Sequence, residues 1–319
     1  MSPEPWRDMH PRLQGRGRCA TMKSVTKKRA IALLLAALLA ACEQRDASAD
    51  APQTPQEMYE RVRALLQPNV EHDTSEFAQA LEWLQRAAEA GHLQAQTDLG
   101  GIYLEGGKGG LQPDGQKASH WFSMAAAQGS KEAMYYLGLI HYTGKDVPQD
   151  KQKALNYWQQ AAEGGVAEAQ FRLGVELAQA QTAEAVQQGV RWLTQAVGQA
   201  AAAPGVAAQA ACSLGYIYAS GKPGIAKNMT EAARWYKIAA DGGDASAQLV
   251  YAIMLLQGEP VAKDEAQGLR YLRLAAGQDV PAAIVLLVKM IRSGVDASSS
   301  PQEADAWEAR LHKLQGGAN

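Results

Sequence analysis

The sequence has few of the residues that form catalytic or metal centres. It contains three cysteines and six histidines among 319 residues, and no Gly-x-Ser-x-Gly or His-Glu-x-x-His motif. The glycine-rich run 100–110 fails as a phosphate loop, because Lys108 is followed by glycine rather than Ser or Thr, and we expect it to be a turn. The sequence therefore predicts no catalytic residue, cofactor, metal or small-molecule substrate. Cys212 is expected to be a small buried apolar residue.

Long apolar runs are also lacking. The longest, Ala30–Ala41, has twelve residues, whereas a membrane-spanning helix needs about 20. It follows a cluster of basic residues in Lys23–Arg29, so 22–41 is predicted to be a secretory signal peptide. Residues 1–21 have no apolar period, and we expect them to be untranslated or disordered, with Met22 as the true start.

The end of the apolar run resembles a bacterial lipobox. It reads Leu39-Ala40-Ala41-Cys42, and the resemblance implies that Cys42 is acylated after cleavage. The alternative is an ordinary signal peptide with an accidental cysteine. Residues 42–55 are small, polar and proline-containing, and are predicted to be a flexible tether. Because Glu43 is not aspartate, the resemblance favours the outer membrane over the inner, on the periplasmic side of a bacterial cell envelope.

Positive charge is scarce after the apolar run. From Cys42 onward the chain carries 23 Lys and Arg against 31 Asp and Glu, a net charge of −8. Such a chain has no electrostatic attraction for nucleic acid and no basic patch to hold it on anionic lipid. Membrane attachment is therefore expected to depend on acyl chains at Cys42.

What the sequence does contain is a repeated pair of amphipathic helices, clearest in 131–165. A Leu-Gly pair marks the first helix, and its glycine is expected to let the second helix approach closely. Asp150 is predicted to cap the second helix, and Gly144 to end the first. A large aromatic, four residues before an alanine pair, is expected to fill the wedge between hairpins. These aromatics are Trp83, Trp121, Tyr157, Trp192, Trp235 and Tyr271.

The repeat pattern resembles the Sel-one-like repeat (SLR), a tetratricopeptide-like family. It reads Ala-x-x-x-Leu-Gly-x-x-Tyr-x-x-Gly, an Asp cap, Ala-x-x-Trp and Ala-Ala-x-x-Gly, over about residues 75–315. The resemblance implies an all-α fold, a right-handed α-solenoid of tandem helix-turn-helix repeats over 56–319, which serves as an interaction scaffold. One hairpin cannot bury its own apolar stripe, so successive hairpins must stack.

The repeats at the two ends and in the middle are irregular. Gln56–Leu66 is predicted to be a degenerate first helix. The hairpin that begins at Pro281 is predicted to be a C-terminal cap. The fourth hairpin lacks the turn glycine and the Asp cap, and has Ala200 where the closing glycine stands elsewhere. This irregularity either changes the superhelical path or reflects drift.

Partners are expected on the first helices, which usually line the concave side of a solenoid. Aromatic and arginine side chains outside the repeat pattern are the candidates, because such residues dominate binding energy at interfaces. They are Tyr135, Tyr136, Phe171, Arg172 and Tyr216, with Ile140 and Gln248 beside them. In the alternative interpretation, Tyr135 and Tyr136 pack against the next hairpin instead.

The sequence thus predicts a non-catalytic scaffold, anchored by lipid in the cell envelope, with a protein or peptide partner. A second hypothesis is an enzyme, since cysteine-rich solenoids resembling this family bind or hydrolyse β-lactams. Those relatives carry a disulfide in each repeat, which is absent here. A third hypothesis is a soluble secreted interaction protein without a lipid anchor.

Overall fold

The computed structural model describes residues 54–65, 74–106, 111–296 and 299–316. These residues form fourteen helices and no strand, apart from one isolated bridge between Lys222 and Ile225. The helices are α1 Pro55–Leu65, α2 Thr74–Glu89, α3 Leu93–Glu105, α4 Gly115–Ala127, α5 Lys131–Thr143, α6 Lys151–Glu163, α7 Ala167–Ala178, α8 Ala183–Gly198, α9 Pro204–Ser220, α10 Met229–Asp241, α11 Ala245–Gln257, α12 Glu265–Gly277, α13 Pro281–Arg292 and α14 Pro301–Gly316. The predicted all-α, solenoid class is confirmed.

The helices belong to two compact units that divide after Val166. The N-terminal unit contains the hairpins α1/α2, α3/α4 and α5/α6. The C-terminal unit contains α7/α8, α9/α10, α11/α12 and α13/α14. Within each unit, the two helices of a hairpin pack on each other, and each second helix also packs on the first helix of the hairpin that follows. Each unit therefore buries its apolar surface by stacking hairpins.

The predicted caps account for where the second helices begin. Asp114, Asp150, Asn228 and Asp264 each accept a hydrogen bond from the backbone N–H three residues later, at 2.9–3.0 Å. In the irregular fourth hairpin, Thr182 takes this role for α8, with its Oγ1 3.3 Å from the Ala185 nitrogen. The hairpin that lacks an Asp cap is thus still capped by a side chain.

The turns that close the hairpins require a left-handed residue. Gly91, Gly129, Gly165 and Gly243 have φ between 87° and 95°. The aligned residue Asp279 is also left-handed, with φ 62°, a conformation that Asp tolerates better than most residues. Gly144, predicted to end the helix now labelled α5, is left-handed as well, with φ 67°.

The sequence predicted that the glycine-rich run 100–110 is a turn, but the first part of the run is helical. Residues up to Glu105 continue α3, and Gly106 is its C-cap. Gly100 lies inside α3. Its missing side chain makes room for the Phe122 ring, whose carbon atoms would lie 2.8 Å from an added Cβ. Residues 107–110 lie outside the described chain.

The side chain that fills the core of each hairpin comes one residue later in the sequence than the predicted aromatic residue. Of the predicted wedge residues, Trp121 and Tyr271 are buried, but Trp83, Tyr157, Trp192 and Trp235 are only half-buried. The residue after each is almost completely buried. These core residues are Leu84, Phe122, Trp158, Leu193, Tyr236 and Leu272.

The first helix of each hairpin explains why the core residue is the later one. The glycine of the Leu-Gly pair in the first helix leaves a gap, and the core residue of the second helix fills it. A Cβ added at Gly138 would lie 2.3 Å from the Trp158 ring, and one at Gly215 would lie 2.8 Å from Tyr236. The ring therefore takes the place that a side chain on the first helix would occupy.

Pairs of glutamines connect successive hairpins. Gln96 of α3 is almost fully buried and donates to the Ala88 carbonyl at the end of α2, at 3.0 Å. Gln128, after α4, donates to Gln96 Oε1 at 2.7 Å and to the Gly91 carbonyl at 3.1 Å. These bonds give the buried Gln96 amide its partners and add a second hydrogen bond to the Ala88 carbonyl, which also accepts from the Gly91 N–H at 3.0 Å.

The same arrangement recurs in the C-terminal unit. Gln248 of α11 donates to the Ala240 carbonyl at 3.3 Å, and Gln278 donates to Gln248 Oε1 at 2.9 Å and to the Gly243 carbonyl at 3.1 Å. A third pair joins Gln199 to Gln170 Oε1 at 2.7 Å. The pairs are a structural element that the repeat pattern did not reveal.

Candidate interaction surface

In the N-terminal unit, the predicted partner residues lie on α5 and are unequally accessible. Tyr135 is only 9% exposed, and its carbonyl accepts a hydrogen bond from Trp158 Nε1 at 3.2 Å. Tyr136 is half-buried, with its ring stacked on Phe122 at a centroid distance of 4.8 Å. Ile140 is buried in the core. Tyr136 therefore offers more surface to a partner than its neighbour does.

In the C-terminal unit, Phe171 and Arg172 lie on α7. Phe171 is half-buried and packs against Ala167, Ala203 and Val206, so part of its ring supports the core. The Arg172 guanidinium lies 5.8 Å from the centre of the Phe171 ring. This pair presents a cation held over an aromatic face, a feature common at protein interfaces.

Tyr216 lies on α9, beside a small cleft. The cleft is lined by Val175 of α7 and Gln179 just after it, by Ser213 and Tyr216 of α9, and by Lys222 in the turn that follows α9. The Lys222 ammonium lies 5.6 Å from the Tyr216 ring centre. This surface can therefore contact an apolar group and a negative group of a partner side by side.

Farther along the C-terminal unit, the first helix α11 has almost no accessible surface. In α11 the nine consecutive residues Ala247–Leu255 are all buried, including Gln248, which the sequence had placed among the candidate partner residues. A helix that is covered on every side has no face for a partner. Of the predicted partner residues in this unit, those on α7 and α9 are therefore the accessible ones.

Two further side chains near the hairpin turns were missed from the sequence. Tyr142, in the last turn of α5, is half-buried, and Lys151 lies 5.4 Å from its ring centre. Tyr103 of α3 has Lys117 at 5.2 Å in the same arrangement. The available signal was a lysine close after each Asp cap, together with an aromatic residue in the last turn of the preceding helix.

The side chain of Cys212, on α9 of the C-terminal unit, carries a free thiol. Burial, reinforced by the neighbouring Asp244 carboxylate, raises the pKa of the Cys212 thiol well above its usual range. Cys212 is half-buried and packs against the apolar core of the C-terminal unit, with Asp244 as a hydrogen-bond partner, and it stays a thiol at neutral pH. Within the described residues, no three His, Cys, Asp or Glu side chains are grouped to hold a metal ion.

The predicted lipidation site, Cys42, lies outside the described residues, as do the signal peptide and most of the tether. Among the helices that the structure describes, none combines the length and the apolar character needed to cross a bilayer.

The repeat geometry agrees with a known family. The Sel1 repeat model matches residues 69–92, 93–130, 131–166, 167–199, 208–244 and 245–280, which together cover most of the chain. The chain belongs to the Sel1 repeat family. Proteins of this family generally mediate protein–protein interactions and are typically non-catalytic scaffolds. The SLR resemblance inferred from the sequence is thereby confirmed.

Similar solved structures share the fold of this Sel1 repeat protein. A protective antigen present in uropathogenic Escherichia coli strains, which displays an SLR fold, matches with a TM-score of 0.70 and 27% identity over 82% of this chain and 54% of its own. A Sel1 repeat protein from Oxalobacter formigenes matches with a TM-score of 0.67 and 21% identity, over 82% of this chain and 100% of its own.

A curated relative is similar over a short segment only. Chitin synthase regulatory factor 3 of Schizosaccharomyces pombe is 37% identical over 68 residues, which is 21% of this chain and 7% of the relative. Such a match extends over about two repeats and supports the family alone.

Proposed function

We propose that this Sel1 repeat protein is a non-catalytic scaffold, anchored by lipid at Cys42 in a bacterial cell envelope, which binds a protein or peptide partner through its first helices. The observation that carries the proposal is made in each unit separately: half-buried aromatic or cationic side chains lie on first helices, beside a buried core. These residues are Tyr136 on α5 in the N-terminal unit, and Arg172 on α7 and Tyr216 on α9 in the C-terminal unit.

The kind of partner follows from the shape and chemistry of this surface. The accessible rings are stacked on other rings or lie under cations, so they are already ordered and lose little conformational entropy when a partner binds. The C-terminal unit offers a small cleft rather than a deep cavity. Such a surface suits an extended peptide or the helix of another protein better than a small molecule.

Placement in the envelope is supported by the sequence before residue 56. The lipobox-like Leu39-Ala40-Ala41-Cys42, the short apolar run before it and the polar tether after it fit a lipoprotein, and Glu43 favours the outer membrane on its periplasmic side.

Site-directed photo-crosslinking tests the binding surface. A photoreactive amino acid replaces Tyr136 or Tyr216 in intact cells, and Gln160 or Arg270, both exposed on second helices, serves as the matched control in the same unit. We expect one shared partner from the first pair of positions and none from the controls. Equal capture from all four positions would show that partners do not use the first helices.

Metabolic labelling with a fatty acid tests the anchor. The unmodified protein should incorporate the label and remain with the outer membrane on fractionation, whereas Cys42→Ala should lose both properties. If the unmodified protein carries no label, the lipoprotein proposal is wrong, and the soluble secreted form takes its place. The scaffold proposal would survive that result, because it depends on the surface alone.

Incubation of the pure protein with a chromogenic β-lactam tests the enzyme hypothesis. We expect no turnover, because the relatives with that activity carry a disulfide in each repeat and this sequence has three cysteines in all. Turnover above the spontaneous rate would contradict the non-catalytic assignment.

A further inference from the structure

The first turn of α3 is capped by a histidine. His92 Nδ1 accepts a hydrogen bond from the Ala95 N–H at 3.1 Å. In the next hairpin the corresponding cap is Ser130, whose Oγ accepts from the Ala133 N–H at 3.1 Å. The corresponding cap of α11 is Asp244. Among these three caps, only the imidazole loses its acceptor atom by protonation near neutral pH.

The same imidazole contacts α1. Its Nε2 lies 2.9 Å from Gln56 Oε1, and its ring stacks on the Tyr59 ring with a centroid distance of 4.5 Å. Because Nδ1 accepts from the backbone, Nε2 carries the proton and donates it to Gln56. One neutral tautomer of His92 therefore caps α3 and holds α1 at the same time.

A second contact joins the two helices beside the imidazole. The Tyr59 hydroxyl donates to Asp98 Oδ2 at 2.7 Å, and Gln94 donates to the other oxygen at 2.8 Å. Burial raises the pKa of the Asp98 carboxyl, although these two bonds oppose the effect. Burial and the Asp98 charge raise the pKa of Tyr59, so its hydroxyl remains protonated.

The Glu60 carboxylate of α1 acts on His92, and the Arg63 cation of the same helix acts on the neighbouring Tyr59. Glu60 of α1 favours the protonated imidazole, but burial outweighs it and lowers the pKa of His92 below its ordinary value. At the end of α2, the Glu89 carboxylate accepts a hydrogen bond from Gln85 at 3.0 Å. The folded chain thus favours neutral His92, in agreement with the hydrogen bonds that it makes.

We propose that His92 is a pH-sensitive clasp, which holds α1 on α3 at neutral pH and loosens when the imidazole is protonated. The added proton turns Nδ1 into a donor that faces the Ala95 N–H, at the positive end of the α3 dipole. The cap bond is then lost, and repulsion between the new Nδ1–H and the Ala95 N–H displaces the imidazole from the position in which it donates to Gln56 and stacks on Tyr59.

The sign of the pH dependence follows from the lowered pKa. The contribution of His92 to stability is fully present above the ordinary imidazole value of about 6.5 and is lost as the pH falls through the lower value of the folded chain. Asp98 acts in the opposite direction, because its raised pKa means that protonation of this carboxyl favours the folded state. The two groups must therefore be separated by mutation.

Release of α1 has a consequence that, unlike the clasp itself, rests on the proposed function. The helix begins at Pro55, where the proposed tether ends, and it has 11 residues. In an acidified envelope, a loosened α1 would lengthen the connection between the lipid anchor and the other hairpins.

Amide hydrogen exchange on the full chain tests the clasp. Exchange in α1 is compared at about pH 7.5 and about pH 5.5, on either side of the ordinary imidazole value, after correction for the intrinsic rate. Protection of α1 should fall about fivefold at the lower pH, which corresponds to the loss of one helix cap. Protection of α11, which contains no histidine and has Asp244 as its cap, should stay constant.

Two variants make the result specific. His92→Asn keeps an acceptor for the cap and a donor for Gln56 without titrating, and His92→Ser copies the Ser130 cap. Both should abolish the fivefold difference, whereas Asp98→Asn should retain it. The proposal is overturned if unmodified α1 is equally protected at both pH values, or if the difference persists in His92→Asn.

Discussion

The hairpins α5/α6 and α11/α12 achieve the same close packing from opposite sides. In α5/α6 the glycine is on the first helix, where Gly138 receives the Trp158 ring. In α11/α12 that position is Ala252, and the glycine is on the second helix, where a Cβ added at Gly268 would lie 2.8 Å from Leu256 Cγ. A hairpin crossing thus needs one small residue, and either helix can supply it.

The two hairpins also differ in how much surface their first helices leave accessible to a partner. The first helix of α5/α6 keeps half-buried aromatic residues, including Tyr136 and Tyr142. The first helix of α11/α12 is completely covered over Ala247–Leu255, and Gln248 is the one polar residue in that range. The first helix of α5/α6 is therefore suited to partners, whereas the first helix of α11/α12 adds to the core.

Truncation of the ring in the first crossing should have the largest effect. Trp158→Ala removes a side chain that is 1% exposed, together with its bond to the Tyr135 carbonyl, and should lower the free energy of unfolding by about 3–5 kcal/mol. Urea denaturation followed by circular dichroism measures this. The half-buried neighbour Tyr157→Ala is the matched control and should cost clearly less. Equal losses would restore the aromatic assignment made from the sequence.

Filling the glycine gap should have the next largest effect. Gly138→Ala places a methyl group 2.3 Å from the Trp158 ring and should destabilise the protein by about 1–3 kcal/mol. Gly268→Ala should cost less, because the nearest atoms belong to the flexible end of Leu256.

A third glycine provides the control for this pair of variants. Gly101 lies inside α3 with nothing within 4 Å of an added Cβ, so Gly101→Ala should stabilise by about 0.5–1 kcal/mol through helix propensity. Melting temperatures of the three variants rank them directly. A stabilised Gly138→Ala variant would contradict the close packing at Trp158.

Removal of a helix cap should affect the two hairpins equally. Asp150→Ala in α5/α6 and Asp264→Ala in α11/α12 each delete an acceptor 2.9 Å from a backbone nitrogen, and each should cost about 1 kcal/mol. Lys151→Ala, adjacent to the first cap, should cost less than half as much. Urea denaturation measures the loss of unfolding free energy in each variant. Unequal losses for the two aspartates would show that the strength of a cap depends on how the two helices of its hairpin pack.

The smallest expected effect is a pH dependence confined to the C-terminal unit. Burial opposes ionisation of Asp241, but bonds from Lys237 and Tyr271 outweigh it and lower the pKa of this carboxyl. The resulting stability is present above the ordinary Asp value and is lost as the pH falls through the folded value. The Asp241 side chain is about half exposed, so the contribution should be below about 1 kcal/mol.

Tyr271→Phe tests this dependence by removing the hydroxyl that donates to Asp241. The variant should be slightly less stable than the unmodified protein at pH 7, and the difference should vanish in strong acid. Tyr157→Phe, at the same position of the α5/α6 hairpin, should show no such pH dependence, because its ring stacks on His141 instead. Thermal melts at a series of pH values distinguish the two.

Helix boundaries were predictable because they depend on local geometry. An Asp cap such as Asp150, or a left-handed residue such as Gly144, acts within a few residues of itself, so sequence spacing suffices to place it. The core position was harder, since Tyr157 and Trp158 are both aromatic and adjacent on one helix. Which of them is buried depends on Gly138, a residue of the other helix.

The candidate surface was predictable only in part, for a related reason. A first helix is flanked by several neighbours, and the pattern of one helix does not reveal which side they cover. Tyr135 and Tyr136 look alike in sequence, yet the first is buried and the second half-buried. A buried glutamine such as Gln96 likewise looks like a surface residue until its carbonyl partner at the preceding helix end is known.

The glutamine pairs also make the hairpins alternate in kind along the chain. Gln96 with Gln128, Gln170 with Gln199, and Gln248 with Gln278 belong to every second hairpin, whereas the hairpins between them have Met134 with Gly164 and Ala211 with Gly242 at the same positions. Two successive hairpins thus make up one period of the glutamine pattern. An engineer who shortens or extends the protein should cut or insert such pairs of hairpins whole, because an odd number of hairpins would bring two junctions of the same kind together.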